Sequence, residues 1–178
     1  MSDGVATVIA SCIASSVTIL GFIVTFILTQ KKFKDEIRKN RFNTNLEKIA
    51  DLPTEIQELI DDVIESRYDL KYQNLFDKVE KTIFAYGSKN SISVMVDIKE
   101  TDHKNKLYPE QTNANEIIAL FFLLLCQIRY DLTGVEMNPK KLYKMRLKDS
   151  FLKDQESLYT TTNEVVDRLG LPSFLKIS

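Results

Sequence analysis

Residues 5–29, VATVIASCIASSVTILGFIVTFILT, run for 25 positions without a charged side chain. Nothing else in the chain limits its options so strongly. A bilayer core about 30 Å thick is crossed by roughly 20 helical residues, so this segment spans with length to spare for tilt. The competing reading is a cleaved export signal, in which positive charge precedes an apolar core of about 7 to 15 residues. Here the order is reversed. The head MSDG offers only Asp3, and the basic cluster KKFKDEIRKNR follows the apolar run. An uncleaved anchor is the better reading.

The same asymmetry sets direction. Between Lys31 and Arg41 six basic residues stand against two acidic ones, although the whole chain carries a formal charge of −1. Lys and Arg are retained on the cytoplasmic side, which puts the N-terminus outside and residues 31–178 inside the cell. Lys31, Lys32, Lys34 and Arg38 are placed to meet anionic headgroups, making membrane lipid an expected partner. The rest of the chain is mildly acidic, which argues against a general nucleic-acid coat. Cys12 lies in the apolar span and Cys126 in a second apolar run. A bridge between them is geometrically implausible, and a reducing compartment suits the main domain.

The span holds more hydroxyls than anchoring needs. Thr7, Ser11, Ala14, Thr18, Gly21 and Thr25 follow the intervals 4, 3, 4, 3, 4. That is a heptad seam of small and hydroxyl residues, the period of left-handed helix packing. Hydrophobicity does not draw helices together in lipid, whereas close approach and interhelical hydrogen bonds do. With one span per chain, the seam has to meet another chain, so a second copy is an expected partner. Four or more such helices could line a narrow polar path. The plain alternative is that the hydroxyls bond their own preceding turns.

The remainder divides into a basic juxtamembrane helix over 31–52 and a helical domain over 53–178, after a membrane segment at 1–30. The periodicity is helical throughout, giving an all-α fold: one transmembrane helix and a compact cytoplasmic bundle. Pro53 is expected to interrupt, with Thr54 capping a new helix and Gln57 reaching back. A further helix is expected over 71–85, with Leu75, Val79 and Ile83 inward. Gly87 is expected in the left-handed conformation, and Ser88 should cap a helix carrying Ile92, Met95 and Val96. Residues 99–113 read as a polar loop. IIALFFLLLC at 117–126 is too short to span and reads as a central core helix. Gly134 should end it. Asn138 and Pro139 should open the next helix, and a last one should cover 153–169.

Signals of catalysis are absent. His103 stands alone without a cysteine nearby, no glycine-rich phosphate loop occurs, and no metal or cofactor is expected. Asp61, Asp62 and Glu65 could hold a divalent ion but read better as a solvated face. Arg129, next to Asp131, reads as a structural ion-pair partner. In KKLYKMRLK, Lys140, Lys141, Lys144 and Lys148 fall within about 100° on a helical wheel, beside Leu142 and Met145 pointing to a core. Such a face could grip an anionic ligand or acidic partner, or could be only a solvated surface.

A short outside tail, one hydroxyl-rich span, a basic stop and a helical inner domain, with AYGSKNSI at 85–92 and RYDLTG at 129–134, make up the layout. It resembles the small single-span bacterial membrane effectors of phage defence. The resemblance implies an oligomer in the inner membrane. Its inner domain would sense a nucleotide or oligonucleotide, or a partner protein, and trigger permeabilisation. No functional residue is carried over from it. The chain is therefore expected to be a self-associating, channel-like or membrane-disrupting effector without enzymatic activity. The alternative is a passive tether presenting a helical interaction domain at the inner face.

Overall fold

The structure, a computed structural model, describes residues 25–33, 36, 43–108, 114–147 and 155–178. The chain falls into two units, Met1–Thr44 and Asn45–Ser178. In the first, residues 25–33 are helical and Phe26, Ile27, Leu28 and Phe33 are all more than half exposed. Among the described residues no helix is long and apolar enough to cross a membrane. Positions 5–24 of the expected span lie outside them.

The second unit is a helical bundle, and no strand occurs among the described residues. Its helices are α1 (Leu52–Ile64), α2 (Leu70–Tyr86), α3 (Lys89–Leu107), α4 (Ala114–Thr133), α5 (Pro139–Arg146) and α6 (Gln155–Leu169), closed by a 3-10 turn at Ser173–Leu175. The expected core helix is α4. Every residue from Ile118 to Ile128 is buried, so this helix is covered on all sides. It packs against α1, α3, α5 and α6, while α2 closes the bundle over α1 and α3. Each fully buried Leu, Ile or Phe there contributes about 1.5–3 kcal/mol, which makes α4 the axis of the fold.

Local chemistry explains most of the ends. The Asp69 side chain caps α2 by accepting the Tyr72 amide at 2.9 Å. Ser88 caps α3 through the Ser91 amide, and Asn138 caps α5 through the Lys140 amide with Pro139 in the first turn. Gly134 (φ +67°) and Gly170 (φ +61°) take the left-handed conformation just past α4 and α6. Beyond Gly170, the Leu171 amide reaches back to Val166 O at 3.0 Å and its side chain is buried. That is the six-residue reverse bond of a glycine-closed helix.

Four local expectations are corrected. α1 begins at Leu52 with Pro53 inside its first turn, so Pro53 opens the helix and Thr54 is not its cap. The ring's fixed φ suits a first turn, where the missing N–H has no partner to lose. Gly87 is extended (φ −71°), not left-handed. It is needed for space: a Cβ there would stand 2.6 Å from Ile83 O and 2.8 Å from Ser91 Oγ. α3 continues to Leu107, so most of the expected 99–113 loop is helix and His103 lies on its exposed side. Ile98 and Thr101, buried below, hold those polar residues in register. Val96 turns outward, and Val94 takes the inward place beside Met95.

Candidate functional site

At one end of the bundle the C-terminal part of α1, the following turn, the start of α2, the C-terminal part of α3 and the start of α4 surround a groove of about 500 Å³. Val63, Ile64, Ile117 and Ile118 make its apolar floor, and Tyr68 and Tyr72 its aromatic wall. Ser66, Gln73, Asp102, Asn105 and Lys106 supply the polar groups. An apolar pocket of this size with a few convergent polar groups is the usual form of a small-ligand site.

The wall is held by a ladder of rings at helical spacing. Tyr68 meets Tyr72 edge-on at 5.2 Å, Tyr72 lies parallel to Phe76 at 6.0 Å, and Phe76 meets Phe121 of α4 at 6.3 Å. Each such contact is worth roughly 0.5–1.5 kcal/mol beyond burial, so the groove's wall is tied to the core. At the lip, Ser66 occupies the left-handed region (φ +55°), a conformation that costs a non-glycine residue about 1–2 kcal/mol. The turn is held by Arg67 N donating to Asp62 O at 2.8 Å and Ser66 N to Val63 O at 3.2 Å.

The electrostatics are one-sided. Burial and then the Asp102 carboxylate raise the Tyr68 hydroxyl above its ordinary value. The same two causes, joined by Tyr68 and Asp62, push Tyr72 up further. Lys106 binds Asp102 at 2.6 Å, but its side chain is 72% exposed against 38% for Asp102. The ammonium is thus mostly hydrated, and its field is screened more than that of the carboxylate.

The lysine face comes out differently from its wheel. α5 ends at Arg146 with Leu147 extended, and Lys148 lies outside the described residues. Lys141 and Lys144 are exposed. Lys140 is engaged: it donates to Ser178 O at 2.5 Å and lies 5.5 Å over the Tyr159 ring. Leu142 is buried as expected, but Met145 is 76% exposed, because the short helix packs only one side on α4.

Asp61, Asp62 and Glu65, at the end of α1, are matched by arginines. Arg67 pairs with Asp62 at 3.0 Å and with Glu65 at 3.3 Å, and Arg146 reaches Asp61 at 3.4 Å. No group of three potential metal ligands occurs among the described residues. Arg129 is exposed, and Asp131 instead accepts the Gln127 amide at 2.8 Å. Lys31, Lys32 and Thr25 are exposed and helical. Thr7, Ser11, Ala14, Thr18, Gly21, Lys34 and Arg38 lie outside the described residues.

Sequence reasoning passed over the groove. Its one legible signal was the i, i+4 series Tyr68, Tyr72 and Phe76, aromatic residues at helical spacing. No protein-family model, curated protein or solved structure matches this chain.

Proposed function

We propose that this chain is a self-associating, single-span protein of the bacterial inner membrane whose cytoplasmic bundle binds a small ligand in the α1–α4 groove and thereby controls the membrane helices. Phage defence is the setting that the layout suggests. The observation that carries the ligand part is the groove itself, an apolar opening in a bundle whose central helix is otherwise covered on all sides. The membrane part rests on the 25-residue uncharged run and the basic cluster behind it. Phe26, Ile27, Leu28 and Phe33, more than half exposed on one short helix, fit a segment that lipid or other copies cover. Association through Thr7, Ser11, Ala14, Thr18, Gly21 and Thr25 would make the hydroxyl seam the contact.

Two measurements test this reading. Thr18→Leu with Thr25→Leu should reduce the oligomer seen by sizing in detergent and abolish conductance in planar bilayers. Unchanged size and conductance would remove the seam. For the groove, benzyl alcohol added to the full chain in nanodiscs should shift the labelled methyl signals of Ile64 and Ile117, and Ile117→Trp should abolish the shift at Ile64. The adaptor reading gains from Leu70, Leu107 and Tyr108, exposed apolar residues that flank the groove's lining in sequence. It predicts an unaltered membrane conductance in every variant.

A further inference from the structure

Resting on the reading of the groove as a ligand site, we infer that its occupant is a small amphipathic organic cation, an ammonium carried on an apolar body, rather than the anion that the lysine pattern suggests. Three features of the groove converge. The floor of Val63, Ile64, Ile117 and Ile118 offers the ligand's body an apolar bed and no hydrogen bond. The two wall rings, Tyr68 and Tyr72, stand edge to face at 87°. Tyr68 is 54% exposed, so its ring is open to a ligand in the groove. Ring faces carry negative electrostatic potential and attract ammonium groups. The carboxylate among the described lining residues is that of Asp102, in α3.

The basic groups in and beside the lining bear on this choice. Lys106 is the cation among the lining residues, and it is committed to Asp102 as an exposed i, i+4 pair. Such exposed pairs are weak, so a ligand ammonium displaces the lysine at little cost. Arg67 is turned to Asp62 and Glu65. Lys71 is taken by Glu58 at 2.5 Å. An anion would meet Asp102 beside a single basic group, the mostly hydrated Lys106, among the described lining residues. A cation gains both the carboxylate and the rings.

The test uses the full chain in nanodiscs of zwitterionic lipid, with the methyl signals of Ile64 and Ile117 as site-resolved readout. Benzyltrimethylammonium, benzyl alcohol and benzenesulfonate are titrated against the parent, Asp102→Asn and Lys106→Gln. Benzyltrimethylammonium should bind the parent roughly five- to tenfold more tightly than benzyl alcohol, with the sulfonate weakest. Asp102→Asn should erase most of that preference and leave benzyl alcohol unchanged. Lys106→Gln should tighten the cation by about twofold, because its competitor is gone. A purely structural salt bridge would not move the two variants in opposite directions. Equal binding of benzyl alcohol and the cation, or a cation preference that survives Asp102→Asn, overturns the inference but leaves the groove reading in place. If none of the three compounds moves the methyl signals, the groove reading itself falls.

Discussion

An alanine at position 87 would place a methyl group between two helices that join there without a loop. Its Cβ would stand 2.6 Å from Ile83 O, 2.8 Å from Ser91 Oγ and 3.1 Å from Ile83 Cγ2. The backbone is no obstacle, because φ −71° is a conformation that any residue adopts. On conformational entropy alone, Gly87→Ala would stabilise by about 0.4–1 kcal/mol. The contacts oppose this. Ile83 O is fixed, since it accepts the Gly87 amide at 2.8 Å at the end of α2. Ser91 Oγ is held too, donating to Ser88 O at 2.9 Å beside the cap of α3. Pushing either away costs about 1–3 kcal/mol in overpacking, and a disturbed cap adds up to about 1 kcal/mol.

The net expectation is a loss of roughly 1–2 kcal/mol, a fall of several degrees in the midpoint of thermal unfolding followed by far-ultraviolet circular dichroism. Ser91→Ala removes one of the two oxygens in the way, so the double variant should lose less than the sum of the singles by about 0.5 kcal/mol or more. A neutral or stabilising Gly87→Ala, or strict additivity with Ser91→Ala, would refute the steric account.

Two further outcomes follow from the interior. Thr162 Oγ1 donates its one hydrogen to Leu158 O at 2.7 Å, so Tyr143 Oη must be the donor in their 2.8 Å contact. Tyr143→Phe should therefore cost about 0.5–1.5 kcal/mol, and Thr162→Val more, about 1–3 kcal/mol, because it leaves a buried hydroxyl unsatisfied. Urea unfolding midpoints would reverse this order if the donor assignment were wrong. Burial pushes the Cys126 thiol from 9.0 up to about 12, and burial likewise raises the Tyr143 hydroxyl from 10.0. Both groups hold their protons more tightly when folded. Their contribution is thus complete below about pH 9 and is lost as pH rises toward about 12. Unfolding midpoints measured across that window should fall steeply, and Cys126→Ala should flatten the first part of the fall. A midpoint independent of pH there would contradict the burial of both groups.

Much of the bundle was legible because its signals are local. The apolar run 117–126 required a covered helix, and α4 is one. Asn138–Pro139, Ser88, Gly134 and the end of α6 followed from capping chemistry that involves only neighbouring residues. Misreadings came where two local rules competed. A proline after an amphipathic stretch reads as a break, yet Pro53 opens α1; a polar run from Lys99 reads as a loop, yet it continues α3 to Leu107. Ile98 and Thr101, buried below them, keep that stretch helical through packing that composition does not display. Gly87 was correctly singled out for the wrong reason, since a close approach from Ser91 depends on how α3 folds back on α2.

The sequence by itself determined that the chain is helical, that one helix lies at the centre of the bundle, and which residues cap and close most of the others. It also carries the membrane expectation, since a 25-residue uncharged run and its flanking charges are properties of the linear chain. Only the tertiary structure brought the groove and its lining residues together. The groove joins residues from 63 to 118, and no periodicity links Asp102 to Tyr68 and Tyr72. Of the lysines near 140, obvious in one dimension, Lys141 and Lys144 are exposed while Lys140 turns to Ser178 and Tyr159. Helices are written by interactions a few residues apart, whereas a site is written by which helix ends meet, and packing alone settles that.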